Sequence, residues 1–245
     1  MQQRNPFDIG HTLPDPFPPP FAQGYLNNAW VQAALGARVN FTDTSPVVNH
    51  AFFATADNLR GYTGELAYLL DAGVKVALIH GDRDFRCNWF GGEAVSLAIP
   101  WSRKNNFAAA GYAPLAVPLS PQGGLTRQLG PLSFSRVFQA GHEVPYYQPA
   151  TALTIYTRTL LGLDVASGTR PSNARYGGTY STTGPRDVRD VSVGPPAPPQ
   201  GPVECYVDVA PLNNSPVRCT EAQLAALRAG TAVVGGDRIV VSPAA

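Results

Sequence analysis

The run VKVALI at residues 74–79 is the feature that most constrains the fold of this 245-residue chain. Its apolar and β-branched residues show little alternation, which predicts a strand buried on both faces, as in a parallel sheet. The motif HGDRDFRCN follows directly, and Gly91 and Gly92 then lead into a helix predicted over 93–99. A buried strand followed by a loop and a helix is typical of the α/β class.

The rest of the chain supports that class and suggests three regions. Apolar spacing and caps predict helices over 25–35, 47–58, 65–72, 149–161 and 220–230. Short β-like runs between Pro and Gly breaks predict strands or a hairpin within 113–139. We expect an α/β region over residues 1–165. Residues 166–203 are rich in Ser, Thr, Gly, Pro and Arg, which predicts a flexible linker. A small unit over 204–245 completes the chain.

Composition and charge exclude several classes of function. The formal net charge is +1 and no basic block occurs, which argues against nucleic acid or an anionic membrane as the main partner. No apolar run approaches the ~20 residues of a transmembrane helix. The first residues, MQQRNPFDIG, lack the apolar segment of a signal peptide. The scattered cysteines and histidines show no metal-ligand spacing.

Three cysteines, Cys87, Cys205 and Cys219, permit at most one internal disulfide. A bridge between Cys205 and Cys219 would stabilise the folded chain by about 3 kcal/mol on the chain-entropy model. Two glycosylation sequons occur, at Asn40 and Asn213, and they favour a secreted context only weakly.

Two polar loops contain residue types suited to acid–base catalysis. GDRD follows the buried strand, and AGHEVP lies between a β-like run and a helix. An acid and a later histidine at the carboxyl ends of strands are the last two members of a Ser–Asp–His triad in α/β-hydrolase order. From this pattern alone, a capping carboxylate at Asp84, a structural histidine at His142 and an inert buried thiol at Cys87 remain the alternatives.

Longer stretches narrow these alternatives. GDRDFRCNWFGGEAVSLAIPW and AGHEVPYYQPATAL resemble the acid and histidine motifs of the serine carboxypeptidases, which are exopeptidases of the α/β-hydrolase fold. The resemblance covers roughly residues 5–165, including PDPFPPPF, YLNNAWVQAALG and the VNFT sequon. It implies that Asp84 is the triad acid and His142 the base, while Asp82 shapes the loop. It further implies that Cys87 and Glu143 line the substrate cleft near the leaving group.

The same resemblance sets further expectations. The motifs are most similar to those of secreted or vacuolar fungal enzymes, so we expect an extracellular or vacuolar protein with glycans at Asn40 and Asn213. The C-terminal unit looks like an appendage of some fungal relatives, and we expect a Cys205–Cys219 bridge with Cys87 unbridged. The substrates would be peptide or protein C-termini, and the resemblance implies no metal or organic cofactor.

The nucleophile of the family is not found in this sequence. It lies in a GESYAG-type elbow, and no serine here has Gly two residues before it. The chain therefore resembles the C-terminal half of a serine carboxypeptidase, and we expect it to be inactive by itself and to need the missing N-terminal half as its partner. The alternatives are a non-catalytic peptide-binding remnant, half of a split enzyme, or a serine-carboxypeptidase-like acyltransferase.

Overall fold

The structure, a computed structural model, describes residues 4–11, 22–118, 123–172, 179–191, 193, 221–229, 231, 233–235 and 238–240. Helices α1 to α9 span Ala22–Leu26, Ala29–Leu35, Pro46–Thr55, Thr63–Asp71, Trp89–Ala98, Lys104–Ala109, Val144–Tyr147, Pro149–Leu160 and Glu221–Arg228. Strands β1 to β6 span Val76–Gly81, Tyr112–Pro114, Gly124–Leu129, Leu132–Val137, Val233–Gly235 and Arg238–Val240. The chain forms two compact units. The first unit consists of Met1–Asp15 and Gly61–Pro196, and the second consists of Pro16–Arg60 and Ala197–Ala245. The predicted α/β region over 1–165 is therefore divided between them.

A four-stranded mixed sheet organises the first unit. Its strand order is β1-β4-β3-β2, with β1 parallel to β4 and the other neighbours antiparallel. The prediction of an α/β protein is thus confirmed in this form. The strand predicted over 74–79 is shifted to 76–81, and the prediction that it is buried on both faces is wrong. Its residues are mostly half-buried because β1 lies at the edge of the sheet, and among the described residues β4 is the strand that pairs with it.

Helices cover both faces of this sheet. On one face, α5 and α6 pack over the side chains of Leu78, Phe134 and their neighbours. The core there consists of Ala67, Leu70, Trp89, Ile99, Trp101, Phe107, Tyr112, Leu129, Leu132, Phe134 and Val188. The other face meets α7 and α8 through a smaller cluster formed by Leu115, Val137, Ala140, Val144, Ile155 and Val165. Burial of each large apolar side chain contributes roughly 1.5–3 kcal/mol, so both layers hold the ends of β1 and β4 firmly.

The described stretches of the predicted linker 166–203 do not behave as a linker. Residues 179–191 pair with the sheet: Gly130 N–H donates to the Tyr180 carbonyl at 2.8 Å, and Tyr112 N–H donates to Pro185 at 2.8 Å. The buried Arg136 guanidinium donates to the Val188 carbonyl at 2.6 Å. Composition predicted flexibility because large aliphatic residues are scarce, whereas main-chain hydrogen bonds and this arginine hold the segment. Residues 173–178, 192 and 194–203 lie outside the described residues.

The second unit contains α1 to α3, a 3-10 turn at Asp57–Leu59, α9 and the β5–β6 hairpin. The single helix predicted over 25–35 is broken at Asn27 and Asn28. Asn28 is extended and its side chain donates to the Gly24 carbonyl at 2.9 Å, while Asn27 exchanges two hydrogen bonds with the Phe41 backbone. Asparagine side chains that bond to the backbone compete with helical hydrogen bonds, which explains the break.

No helix within the described ranges has the length and apolarity needed to cross a membrane.

Candidate active site

The loop after β1 holds Asp84 between a strand and a capped helix. The Asp84 side chain is almost completely buried, and its Oδ1 accepts the Cys87 N–H at 3.0 Å. Asn88 then accepts the Gly91 N–H at 2.9 Å and caps the amino end of α5. One carboxylate oxygen of Asp84 is therefore committed to its own loop, and the other remains for a second partner.

That partner is His142, in the loop after β4. Because β1 and β4 are parallel and Gly81 is paired with Val137, both loops leave the same edge of the sheet. Nδ1 of His142 lies 2.8 Å from Oδ2 of Asp84. An ionised carboxylate only accepts, so the proton belongs on Nδ1 and Nε2 is the basic nitrogen. The His142 side chain is 36% exposed against 4% for Asp84, so the base can meet a reactant while its acid partner is shielded.

Asp82 joins the two loops. Its Oδ1 accepts the Ala140 N–H at 3.4 Å, and Arg83 N–H donates to the Ala140 carbonyl at 2.9 Å. Burial raises the pKa of Asp82, and the Ala140 N–H and the positive charges of Arg136 and Arg83 oppose that rise without cancelling it. Asp82 thus links the acid loop to Ala140, two residues before His142 in the histidine loop.

Two glycines allow these loops to approach closely. A Cβ at Gly81 would lie 2.2 Å from the Gly141 carbonyl oxygen, and a Cβ at Gly141 would lie 2.4 Å from the carbonyl oxygen of Phe7. Either distance is shorter than a van der Waals contact, so a side chain at these positions would push the loops apart.

Residues 4–11, which sequence reasoning did not assign to the site, lie against both loops. Pro6 accepts hydrogen bonds from the acid loop and Phe7 accepts one from His142. Asn5 and Asp8 are fully buried. The available signal was the pattern N-P-F-D-x-G. Asn and Asp form compact turns when their side chains accept a hydrogen bond from the backbone N–H two residues further along the chain. Such turns give no indication of which distant loop they contact.

Cys87 and Glu143, the two predicted substrate-binding residues, lie in the acid loop and the histidine loop and differ in exposure. Cys87 is exposed, so the alternative of a buried thiol is wrong, and its Sγ, Asp84 and His142 offer donor atoms within 4.8 Å of one another. A metal there would have to break the 2.8 Å hydrogen bond between Asp84 and His142. Glu143 is half-buried, and its carbonyl accepts the Tyr146 N–H at 2.9 Å at the start of α7. Their contact with substrate stays a prediction.

The remaining predicted sites fall elsewhere. Asn40 is exposed, and its Oδ1 accepts a hydrogen bond from Gln32 at 3.1 Å. Asn213, Cys205 and Cys219 lie outside the described residues, so the second sequon and the disulfide stay predictions.

These observations define a class of protein. A carboxylate and a histidine are hydrogen-bonded across the carboxyl ends of two neighbouring parallel strands, in a sheet covered by helices on both faces. This is an α/β protein with an acid–base pair of the kind that activates a nucleophile.

The chain belongs to the serine carboxypeptidase family, whose sequence model matches residues 8–162. It is 48% identical to Carboxypeptidase S1 homolog B of Arthroderma otae, over 94% of this chain and 34% of that protein. It is 44% identical to Carboxypeptidase S1 homolog A of Arthroderma benhamiae, over 98% of this chain and 36% of the relative. It is 39% identical to Carboxypeptidase Y homolog of the same organism, over 98% of this chain and 37% of that protein. The chain thus spans about a third of the length of these curated relatives.

Proposed function

We propose that this chain supplies the acid and the general base of a serine-type carboxypeptidase. The observation that carries the proposal is the 2.8 Å hydrogen bond from His142 Nδ1 to the buried Asp84 carboxylate. Family membership supports the reaction class, and it supports interpreting the sheet and its helices as the C-terminal portion of an α/β-hydrolase fold.

The chemistry follows from the protonation of His142. With the proton on Nδ1, Nε2 takes the proton of a serine hydroxyl as that oxygen attacks the last peptide carbonyl. The Asp84 carboxylate stabilises the imidazolium that forms. His142 then gives its proton to the leaving amine, and a water molecule repeats the cycle on the acyl-enzyme. The serine comes from polypeptide outside these 245 residues, because the sequence holds no G-x-S-x-G motif.

The proposal extends to the substrate, the location and the covalent modifications of the protein. Cys87 and Glu143 border the leaving-group side, and the substrates are peptide or protein C-termini. The protein acts outside the cell or in a vacuole and carries glycans at Asn40 and Asn213. A Cys205–Cys219 disulfide closes its C-terminal unit. No cofactor takes part in the reaction.

The test is peptide hydrolysis by the full translation product of the gene. The measured quantity is release of the C-terminal amino acid from an amino-blocked dipeptide. His142→Ala should lower kcat by about 10⁴-fold or more, whereas His50→Ala, an exposed histidine on α3, should leave it unchanged. Undiminished turnover by the His142→Ala variant would refute the proposal. Transfer of the acyl group to an alcohol at the expense of hydrolysis would identify an acyltransferase instead.

A further inference from the structure

We propose that residues 5–11 form a clasp that holds the acid loop and the histidine loop together, and that Phe7 within it is a positioning residue for His142. This inference rests on the proposed function, because it concerns the orientation of the proposed general base. Neither the sequence motifs nor the family match assigns a role to this segment.

The clasp is bonded to both loops through its backbone. The Pro6 carbonyl accepts the N–H groups of Phe85 and Arg86, each at 3.2 Å. On the other side, the Phe7 carbonyl accepts the His142 N–H at 2.8 Å. Consecutive carbonyls therefore connect the loop that holds Asp84 to the loop that holds His142. A shift of the clasp would move one loop relative to the other.

The ring of Phe7 lies against the imidazole itself. The two ring centroids are 5.4 Å apart with planes tilted by 57°. The Arg86 guanidinium, from the acid loop, lies 5.0 Å from the same Phe7 centroid. A single hydrogen bond at Nδ1 fixes one corner of the imidazole but leaves rotation about its last side-chain bond, and a ring packed beside it restricts that rotation.

The clasp is stiffened by its own buried groups. Asn5 Oδ1 accepts the Phe7 N–H at 2.9 Å, and Asp8 Oδ1 accepts the Gly10 N–H at 2.7 Å. Gly141 packs so closely that a Cβ there would also lie 2.6 Å from the Asp8 Cβ. Fixed at these points, the clasp can act as a rigid wall for His142, which a mobile terminal segment could not.

The experiment compares Phe7→Ala with Phe7→Tyr and with the control Phe53→Ala, which alters an exposed phenylalanine on α3. Nitrogen-15 NMR of the full translation product reports which imidazole nitrogen of His142 carries the proton. We expect Phe53→Ala and Phe7→Tyr to keep the Nδ1–H form. Phe7→Ala should populate the Nε2–H form. In the full translation product, Phe7→Ala should lower kcat by about 10- to 100-fold with little change in KM, and Phe7→Tyr should restore most of the loss.

The outcomes separate the two proposals. If Phe7→Ala keeps the Nδ1–H form and its kcat, the clasp has no positioning role. If His142→Ala retains turnover, the proposed function fails, while the NMR comparison still decides whether Phe7 orients the ring. Should Phe7→Ala fail to fold, Phe7→Leu keeps an apolar side chain without the aromatic face, and the same two measurements apply to it.

Discussion

Replacing Asp84 by Asn should move the imidazole proton of His142 from Nδ1 to Nε2 without unfolding the protein. In the wild type, Oδ1 of Asp84 accepts the Cys87 N–H at 3.0 Å and Oδ2 accepts from His142 at 2.8 Å. The Cys87 N–H can only donate, so the single side-chain oxygen of the substituted asparagine must face it. The amide NH2 then points at His142, and Nδ1 must become an acceptor. The proton moves to Nε2, which can no longer take a proton from serine.

The magnitude follows from which interactions are lost. The side chain keeps its size, and the Cys87 hydrogen bond is kept, so the change in stability comes from exchanging a charge-assisted hydrogen bond for a neutral one. That exchange costs about 1–2 kcal/mol. The catalytic loss is larger, because both the tautomer and the negative charge that stabilises the imidazolium are wrong, and about 10⁴-fold in kcat is expected.

Nitrogen-15 NMR and kinetics, both of the full translation product, give the two readouts. Asp43→Asn is the control, since it makes the same change at an exposed aspartate outside the acid and histidine loops. It should keep the Nδ1–H form of His142. The reasoning is refuted if Asp84→Asn also keeps the Nδ1–H form.

Two further predictions test the scaffold. Burial acts to raise the pKa of Asp164, but hydrogen bonds from the 167–170 turn outweigh it and lower the pKa below 3.8. Just below pH 3.8 the unfolded chain therefore binds more protons at this residue than the folded chain does. Asp164→Asn should therefore destabilise the protein by about 2 kcal/mol at pH 7. Thermal melts should show this difference narrowing as the pH falls below 3.8, and a constant difference would contradict the hydrogen-bond account. Gly92→Ala should destabilise by about 1–3 kcal/mol, because its Cβ would lie 2.3 Å from the His80 imidazole. Gly91→Ala, whose Cβ meets nothing closer than 3.6 Å, should instead stabilise the same helix by up to about 1 kcal/mol; equal melting temperatures for the two variants would count against this packing.

The elements nearest the site were largely predictable. The helix over 149–161 is confirmed as Pro149–Leu160 and the helix over 65–72 as Thr63–Asp71, because apolar spacing is a local property of the chain. The β-like runs LTRQL and LSFSRVF within 113–139 are confirmed as β3 and β4, whereas the run PLAVPL overlaps β2 only at Pro114. The break at Asn27 was missed because the distant Phe41 backbone competes for its side chain, and helical periodicity gives no sign of that.

The acid and histidine loops were recognisable because each is a continuous motif of a known family. Their hydrogen bond was not, since it joins residues far apart in the chain and depends on the parallel register of β1 with β4. A shift of that register by one residue would turn the strand faces over and move the two loops apart.

The sequence by itself determined the class of the fold and the family, and it predicted the acid and the base, because periodicity and motif are written in neighbouring residues. Only the tertiary structure decided that residues 5–11 lie across both the acid loop and the histidine loop and that residues 179–191 join the sheet. Both segments lack an apolar pattern and are held by backbone hydrogen bonds and a few buried polar side chains. The partners of those groups are supplied by distant regions of the chain, so no local pattern could reveal them.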